Sequence, residues 1–241
     1  MAVKLFATTT MSRGIQKLYS EAARTYEMIN HLLTLGLDVL WRKKASEIAV
    51  RTGGSLWVDV CSGTGEMAMA LKATSGGRAR VVSADFSTPM LKVAKSKRGA
   101  FGLQFALADA GSLPFRSNVF DLVTIAYATR NLNPNRDKLV RYLEEFRRVL
   151  RPGGTFANLE TSQPRSLITR YLYHLYVHVV VRRLGAFISG SKSGYAFLSS
   201  TVLRFYSPRE FAALLREAGF EDIRVVRLML GVFAIHMASP S

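Results

Sequence analysis

Residues 58–68 read VDVCSGTGEMA, an apolar alternation that runs into two glycines and then into good helix formers. A strand feeding a tight turn that opens a helix presents backbone N–H groups to a ligand at the strand end. Gly63 and Gly65 allow close approach there, with Cys61 and Thr64 in the same turn and Asp59 just before it. Asp59 is expected to order the loop through backbone N–H groups. GTGEMA satisfies G-x-G-x-x-A, which alone is weak evidence for a dinucleotide site. Asp85, followed by Phe86, ends the next apolar run, where a carboxylate can accept both hydrogen bonds of a ribose diol. Asp109 and Ala110, after a third such run, are placed to bind an adenine amino group and flank the ring.

The elements that must position these residues alternate. SLWVDV, RVVSAD, LQFALAD, FDLVTIAYAT and TFANLET read as strands, and helical patterns separate them. Ser87 with Pro89 opens one helix, and Ser207, Pro208 and Glu210 open the last. DIRVVRL and GVFAIHMA close the chain without a helix between them and should pair as a hairpin. The pattern predicts an α/β fold, a doubly wound, mostly parallel seven-stranded sheet. Residues 1–52 are expected to form a helical cap over the site, broken at Gly36. Residues 53–241 form the main domain, with a helical insert at about 164–206.

The chain has 241 residues, 49% of them hydrophobic, which supports a large core and excludes a disordered chain. Its single cysteine, Cys61, excludes an internal disulfide and a cysteine-based zinc site. His174 and His178 lie one turn apart but lack a third ligand, so no metal site is expected. Lys and Arg number 33 against 17 Asp and Glu, a net charge of +16. Such a charge suits an anionic partner, either a membrane surface or a nucleic acid. Neither a leader peptide nor an uninterrupted spanning stretch is legible, so a cytoplasmic or membrane-peripheral protein is expected.

The ordered set VDVCSGTG, SADFS, LADAGSLPF, FDLVTIAYA and RRVLRPGGTF resembles the class I S-adenosylmethionine methyltransferases. YEMIN followed by LW, ATRN after strand four, RVLRPGGTFANLETS, GYAFLSSTVLRFYSP and GVFAIH make the chain similar to the UbiE family. That family methylates ring carbons of ubiquinone and menaquinone precursors. It departs from the family pattern at Glu27, at His31 and at Ala128–Thr129.

The resemblance implies S-adenosylmethionine as cofactor, with Thr64 in its loop, Asp85 on the ribose and Asp109 and Ala110 at the adenine. Ala126 would reach the cofactor through its backbone. A reduced prenylated quinone precursor would be the acceptor. Arg130 would stabilise a developing phenolate, Asn131 would orient a ring oxygen, and Tyr26 would close over the site. His31 is an alternative base. The insert, rich in Tyr, Leu and Val, would wall a prenyl tail, lie on an anionic membrane or form a homodimer contact. A nucleic-acid methyltransferase is disfavoured because AYATRNLNP lacks the Pro-Pro-aromatic signature of amino-group methylation. Another small lipid or phenolic acceptor, or a non-enzymatic scaffold, is compatible with the cofactor core alone.

Overall fold

The computed structural model describes residues 26–189 and 192–241. The helical cap expected over residues 1–52 thus falls partly outside the described residues. Tyr26 opens the first described helix, and its side chain lies outside them too.

Two helices come first, α1 (Tyr26–Thr34) and α2 (Leu37–Ala49), broken at Gly36 with φ 75°. The chain then alternates β1 (Leu56–Val60), α3 (Glu66–Thr74), β2 (Arg80–Asp85), α4 (Thr88–Ser96) and β3 (Gln104–Leu107). It continues with β4 (Phe120–Ala126), α5 (Arg136–Val149) and β5 (Leu150–Thr161). The insert holds α6 (Leu167–Tyr176), which runs on as a π-helix over Val177–Leu184, then α7 (Gly185–Ser189) and α8 (Lys192–Arg204). Helix α9 (Pro208–Glu217) and the hairpin β6 (Phe220–Leu228) and β7 (Phe233–Pro240) close the fold.

All seven strands form one sheet in the order β3-β2-β1-β4-β5-β7-β6, with β7 antiparallel to both neighbours. The strand order reverses between β1 and β4, so a crevice opens beyond their carboxyl ends. Alternation along the strands sends residues to two cores. Val58, Val60, Val82, Val123 and Ile125 pack under α5 and α9. Trp57, Val81 and Leu122 pack with Met67 and Leu71 of α3 and Trp41 and Ala45 of α2. Both faces are covered, which is why β4 is buried almost throughout rather than alternating with solvent.

Local signals set the helix starts. Ser87 Oγ accepts from Met90 N at α4, and Ser207 and Glu210 form a capping box at α9. Strand β5 starts earlier than TFANLET suggests. Leu150 pairs with Phe120, and the ladder resumes only at Thr155 opposite Leu122. The RPGG segment between them bulges out of register, so the turn signal there is a bulge within a strand. Among the described residues, no helix is long and apolar enough to cross a membrane.

Candidate active site

The glycine turn makes three reversals of backbone hand. Cys61, Gly63 and Gly65 have φ of 54°, 54° and 80°. A Cβ on Gly65 would lie 3.0 Å from the Ala94 methyl of α4, so the close packing of α3 and α4 needs glycine there. Asp85 orders this turn. Its Oδ2 accepts from Gly63 N at 2.8 Å and its Oδ1 from Ser87 N at 2.8 Å. The role expected of Asp59 thus falls to Asp85, because the turn folds toward β2. Asp59 instead accepts from the Thr124 hydroxyl of β4 at 2.7 Å.

A cleft of about 710 Å³ lies over these strand ends. Asp59, Cys61, Gly63, Thr64, Asp85, Phe86, Ala126 and Asn131 all line it. Asp109 and Ala110 do not. Asp109 is exposed beyond β3 and accepts from Gly111 N, although its charge is felt at Cys61. Burial pushes the Asp59 carboxyl up to about 7, against the pull of Thr124 and Arg42. Burial likewise raises Asp85 to about 6 while backbone N–H groups from Ser87 and Gly63 oppose it. Asp59 Oδ2 is buried without a hydrogen-bond partner among the described residues. A Cβ on Gly63 would meet nothing within 4 Å, so the turn leaves room above its backbone. An unpartnered acidic oxygen, a second carboxylate and open space over a glycine fit a cationic nucleoside such as S-adenosylmethionine.

A second cleft, of about 1340 Å³, adjoins the first, and Arg42 and Tyr127 line both. It is mostly apolar. Leu33 of α1, Trp41 of α2, Tyr173 and Val177 of the insert, and Phe233 of β7 contribute its walls. Arg130 faces this cleft while Asn131, its neighbour, faces the cofactor cleft. The sequence placed the two side by side. The 3₁₀ turn Thr129–Leu132 divides them between the compartments. Arg130 is buried and pairs with the equally buried Glu160 of β5 at 2.6 Å, and it donates to the Tyr127 carbonyl at 2.6 Å.

Three residues at this junction are not among those the sequence singled out. Arg42 is buried, pairs with Asp38 at 2.5 Å and Glu66 at 3.0 Å, and lies 4.8 Å from the Tyr127 ring centroid. Tyr127 has a φ of 58°, and its hydroxyl is buried without a hydrogen-bond partner among the described residues. Burial raises its pKa, so it stays a neutral phenol. Glu160 sits in the ANLETS phrase, but nothing local marks it as the partner of Arg130. For Tyr127 a usable signal was its place just after a buried strand, where chains at switch points turn sharply.

His31 lines neither cleft. It bridges α1 to Asp38, with Nδ1 2.8 Å away, and to Glu66, with Nε2 3.3 Å away. Burial disfavours its charged form, but Asp38 and Glu66 outweigh this and raise its pKa. Glu27 of α1 pairs with Lys97 beyond α4. The imidazole therefore belongs to a clasp holding α1 down, not to the reacting centre. Glu27, His31 and Glu66 form a close group, but Arg42 and Lys97 already pair with its two acids. His174 bonds Gln163 Oε1 at 2.9 Å and so fastens the insert to the end of β5.

The fold recurs among solved methyltransferases. A possible histamine N-methyltransferase from Thermotoga maritima superposes with a TM-score of 0.63 at 18% identity, over 92% of this chain and 99% of that one. Human N-acetylserotonin methyltransferase, solved with S-adenosylmethionine, gives 0.64 at 17% identity, over 97% of this chain and 60% of that one. Sequence relatives are much nearer. A demethylmenaquinone methyltransferase from Thermus thermophilus is 38% identical over 222 residues, 91% of this chain and 98% of that protein. A ubiquinone/menaquinone biosynthesis C-methyltransferase from Desulfotalea psychrophila is 35% identical over 223 residues, 92% of this chain and 89% of that protein. A profile of the ubiE/COQ5 methyltransferase family matches residues 7–239. The chain therefore belongs to the ubiE/COQ5 family and is an S-adenosylmethionine-dependent methyltransferase.

Proposed function

We propose that the chain methylates a ring carbon of a reduced, prenylated quinone precursor. The observation that carries this reading is the apolar cleft of about 1340 Å³ that shares Arg42 and Tyr127 with the cofactor cleft. Its walls suit a hydrocarbon tail, and Arg130 brings a guanidinium into it beside Tyr127, which lines both clefts. The names of the Thermus and Desulfotalea relatives point to the same acceptor class.

The bound cofactor supplies a methyl group activated by a positive sulfur. Asp85 accepts its ribose hydroxyls, Asp59 offsets its positive charge, and Thr64, Phe86 and the backbone of Ala126 shape the cleft around it. The adenine would extend beyond Phe86, past the cleft itself, toward Asp109 and Ala110 after β3. A hydroquinol carbon becomes nucleophilic when an adjacent hydroxyl gives up its proton, because the oxyanion pushes density into the ring. Arg130, always charged, stabilises that oxyanion directly or through a water. Glu160 holds the guanidinium in place, and Asn131 orients a ring oxygen from the cofactor side. As the ring carbon takes the methyl, the electron pair of the broken carbon–sulfur bond would stay on sulfur; the ring carbon then gives its proton to water, the ring oxygen regains one, and aromaticity returns. Helices α1 and α2 wall the apolar cleft from above and keep water from it. The protein works in the cytoplasm, at the inner face of the membrane that holds its substrate.

The test is transfer of labelled methyl from S-adenosylmethionine to a panel of demethylquinols, with RNA as a parallel acceptor. Label in the quinol that depends on its reduction is expected. Label only in RNA, or in no quinol despite firm cofactor binding, would discard the acceptor.

A further inference from the structure

The apolar cleft is open at its outer end, and its rim is unusual. Leu35, between α1 and α2, is 84% exposed; Leu230 and Met229, between β6 and β7, are 83% and 56% exposed. All three have positive φ, of 54°, 55° and 47° respectively. The left-handed region is uncommon for non-glycine residues, and asparagine or glycine would relieve it in a hairpin turn. Each turn thus combines backbone strain with solvent-exposed hydrocarbon, and such strain clusters where surroundings or function require it. Helix α6 adds a flanking stripe, with Leu167, Ile168 and Tyr171 all exposed.

Charge says what covers this face. Residues 164–206 contain no Asp or Glu, but they include Arg165, Arg170, Arg182, Arg183, Lys192 and Arg204. Arg165 precedes α6, and Arg182 and Arg183 follow it on the same continuous helical run; all three are exposed. A second copy of the chain would bring a like-charged insert against this one. An anionic lipid surface would meet it with the opposite sign.

We propose that the rim docks on an anionic bilayer leaflet. Leu35, Met229 and Leu230 enter the boundary between headgroups and acyl chains, and the arginines of the insert meet lipid phosphates. This deepens the lipid-acceptor reading of the same cleft and rests on it. The mouth then opens into hydrocarbon, so a prenyl tail passes from leaflet to cleft without crossing water.

The experiment is vesicle co-sedimentation, with phosphatidylcholine alone and with phosphatidylglycerol added. The protein is expected to pellet with the anionic vesicles and to be released by salt. The double variant Leu35→Asn, Leu230→Asn is expected to lose about tenfold in partitioning. Its Tm should hold or rise, because asparagine accepts the left-handed region, and its cofactor binding should not change. Partitioning and stability moving apart is the signature that fold damage would not give.

The proposal is overturned if the wild type stays in solution with anionic vesicles, or if the double variant binds them as the wild type does. A wild-type dimer that the double variant breaks, with vesicle binding intact, would also overturn it. Methyl transfer to a short-tailed, water-soluble quinol keeps the two readings apart. A protein that methylates it but ignores vesicles loses only the docking surface. One that binds vesicles but methylates no quinol loses only the acceptor.

Discussion

The two clefts meet at Tyr127 and Arg42, yet they are built on different plans. The cofactor cleft comes from consecutive residues at the ends of parallel strands. Its polar groups are fixed by backbone, as Asp85 is by Gly63 and Ser87. The apolar cleft comes from side chains on α1, α2, the insert and β7, far apart in sequence. A small nucleoside needs fixed hydrogen bonds; a long, featureless tail needs only a greasy wall. One compartment is specified by geometry and the other by composition.

That contrast breaks most sharply at Arg130. Arg130→Ala is expected to lower turnover about 100- to 1000-fold, the scale for removing one oxyanion-stabilising donor. Cofactor affinity should stay as in the wild type, since Arg130 faces the other cleft. Equal losses in both, by steady-state kinetics and calorimetric cofactor titration, would mean that the compartments are not separable. Glu160→Gln tests the same spot through stability. Breaking a buried ion pair leaves a lone buried charge, so a loss of about 3–5 kcal/mol in denaturant unfolding is expected. Full stability would mean that water reaches the pair.

Asp85→Asn is expected to weaken cofactor binding about 10- to 100-fold, the worth of charge-assisted hydrogen bonds, while the apparent affinity for quinol is unchanged. A pH series sharpens the point at Asp59. In the folded, cofactor-free protein this carboxyl keeps its proton up to about 7, against an ordinary 3.8. Between those values the folded chain holds a proton that the unfolded chain has released. The contribution of Asp59 to stability therefore falls as pH rises through that window, then levels off. A cation in the cleft prefers the carboxylate, so cofactor affinity should climb as pH approaches and passes about 7. Asp59→Asn should flatten the climb; an unchanged slope would move the effect to another group. The smallest effect belongs to the apolar wall. Leu198 of α8 lines that wall, and Leu198→Ala should raise KM about threefold to tenfold for a long-tailed quinol, from the lost methylenes, and leave a tail-less one unaffected.

The same division explains which parts of the molecule are legible in the sequence. Strand β2, RVVSAD, is legible residue for residue because alternation and a terminal acid are local signals. So are the Ser87 cap and the Ser207 capping box. The glycine turn points to the cofactor for the same reason. Arg42 was invisible because its partners Asp38, Glu66 and the Tyr127 ring come from three elements and matter only once packed. Arg130 was found, but its partner Glu160 lies thirty positions on, in a stretch that reads as ordinary strand. The tail cleft is legible only as composition, in the Tyr-, Leu- and Val-rich insert whose Tyr173, Val177 and Leu198 line it. Each of its residues looks like core, and only the helices' failure to close over it makes a cavity.

Cys61 carries a practical consequence. Burial, with the nearby charges of Asp85, Asp59 and Asp109, pushes its thiol well above the ordinary range. At neutral pH it therefore stays protonated and reacts slowly with alkylating reagents and peroxide. As it is the only thiol in the chain, the native protein should react slowly with maleimides. A cysteine introduced on an exposed turn would therefore take a fluorophore or spin label faster than Cys61 does, at one defined position.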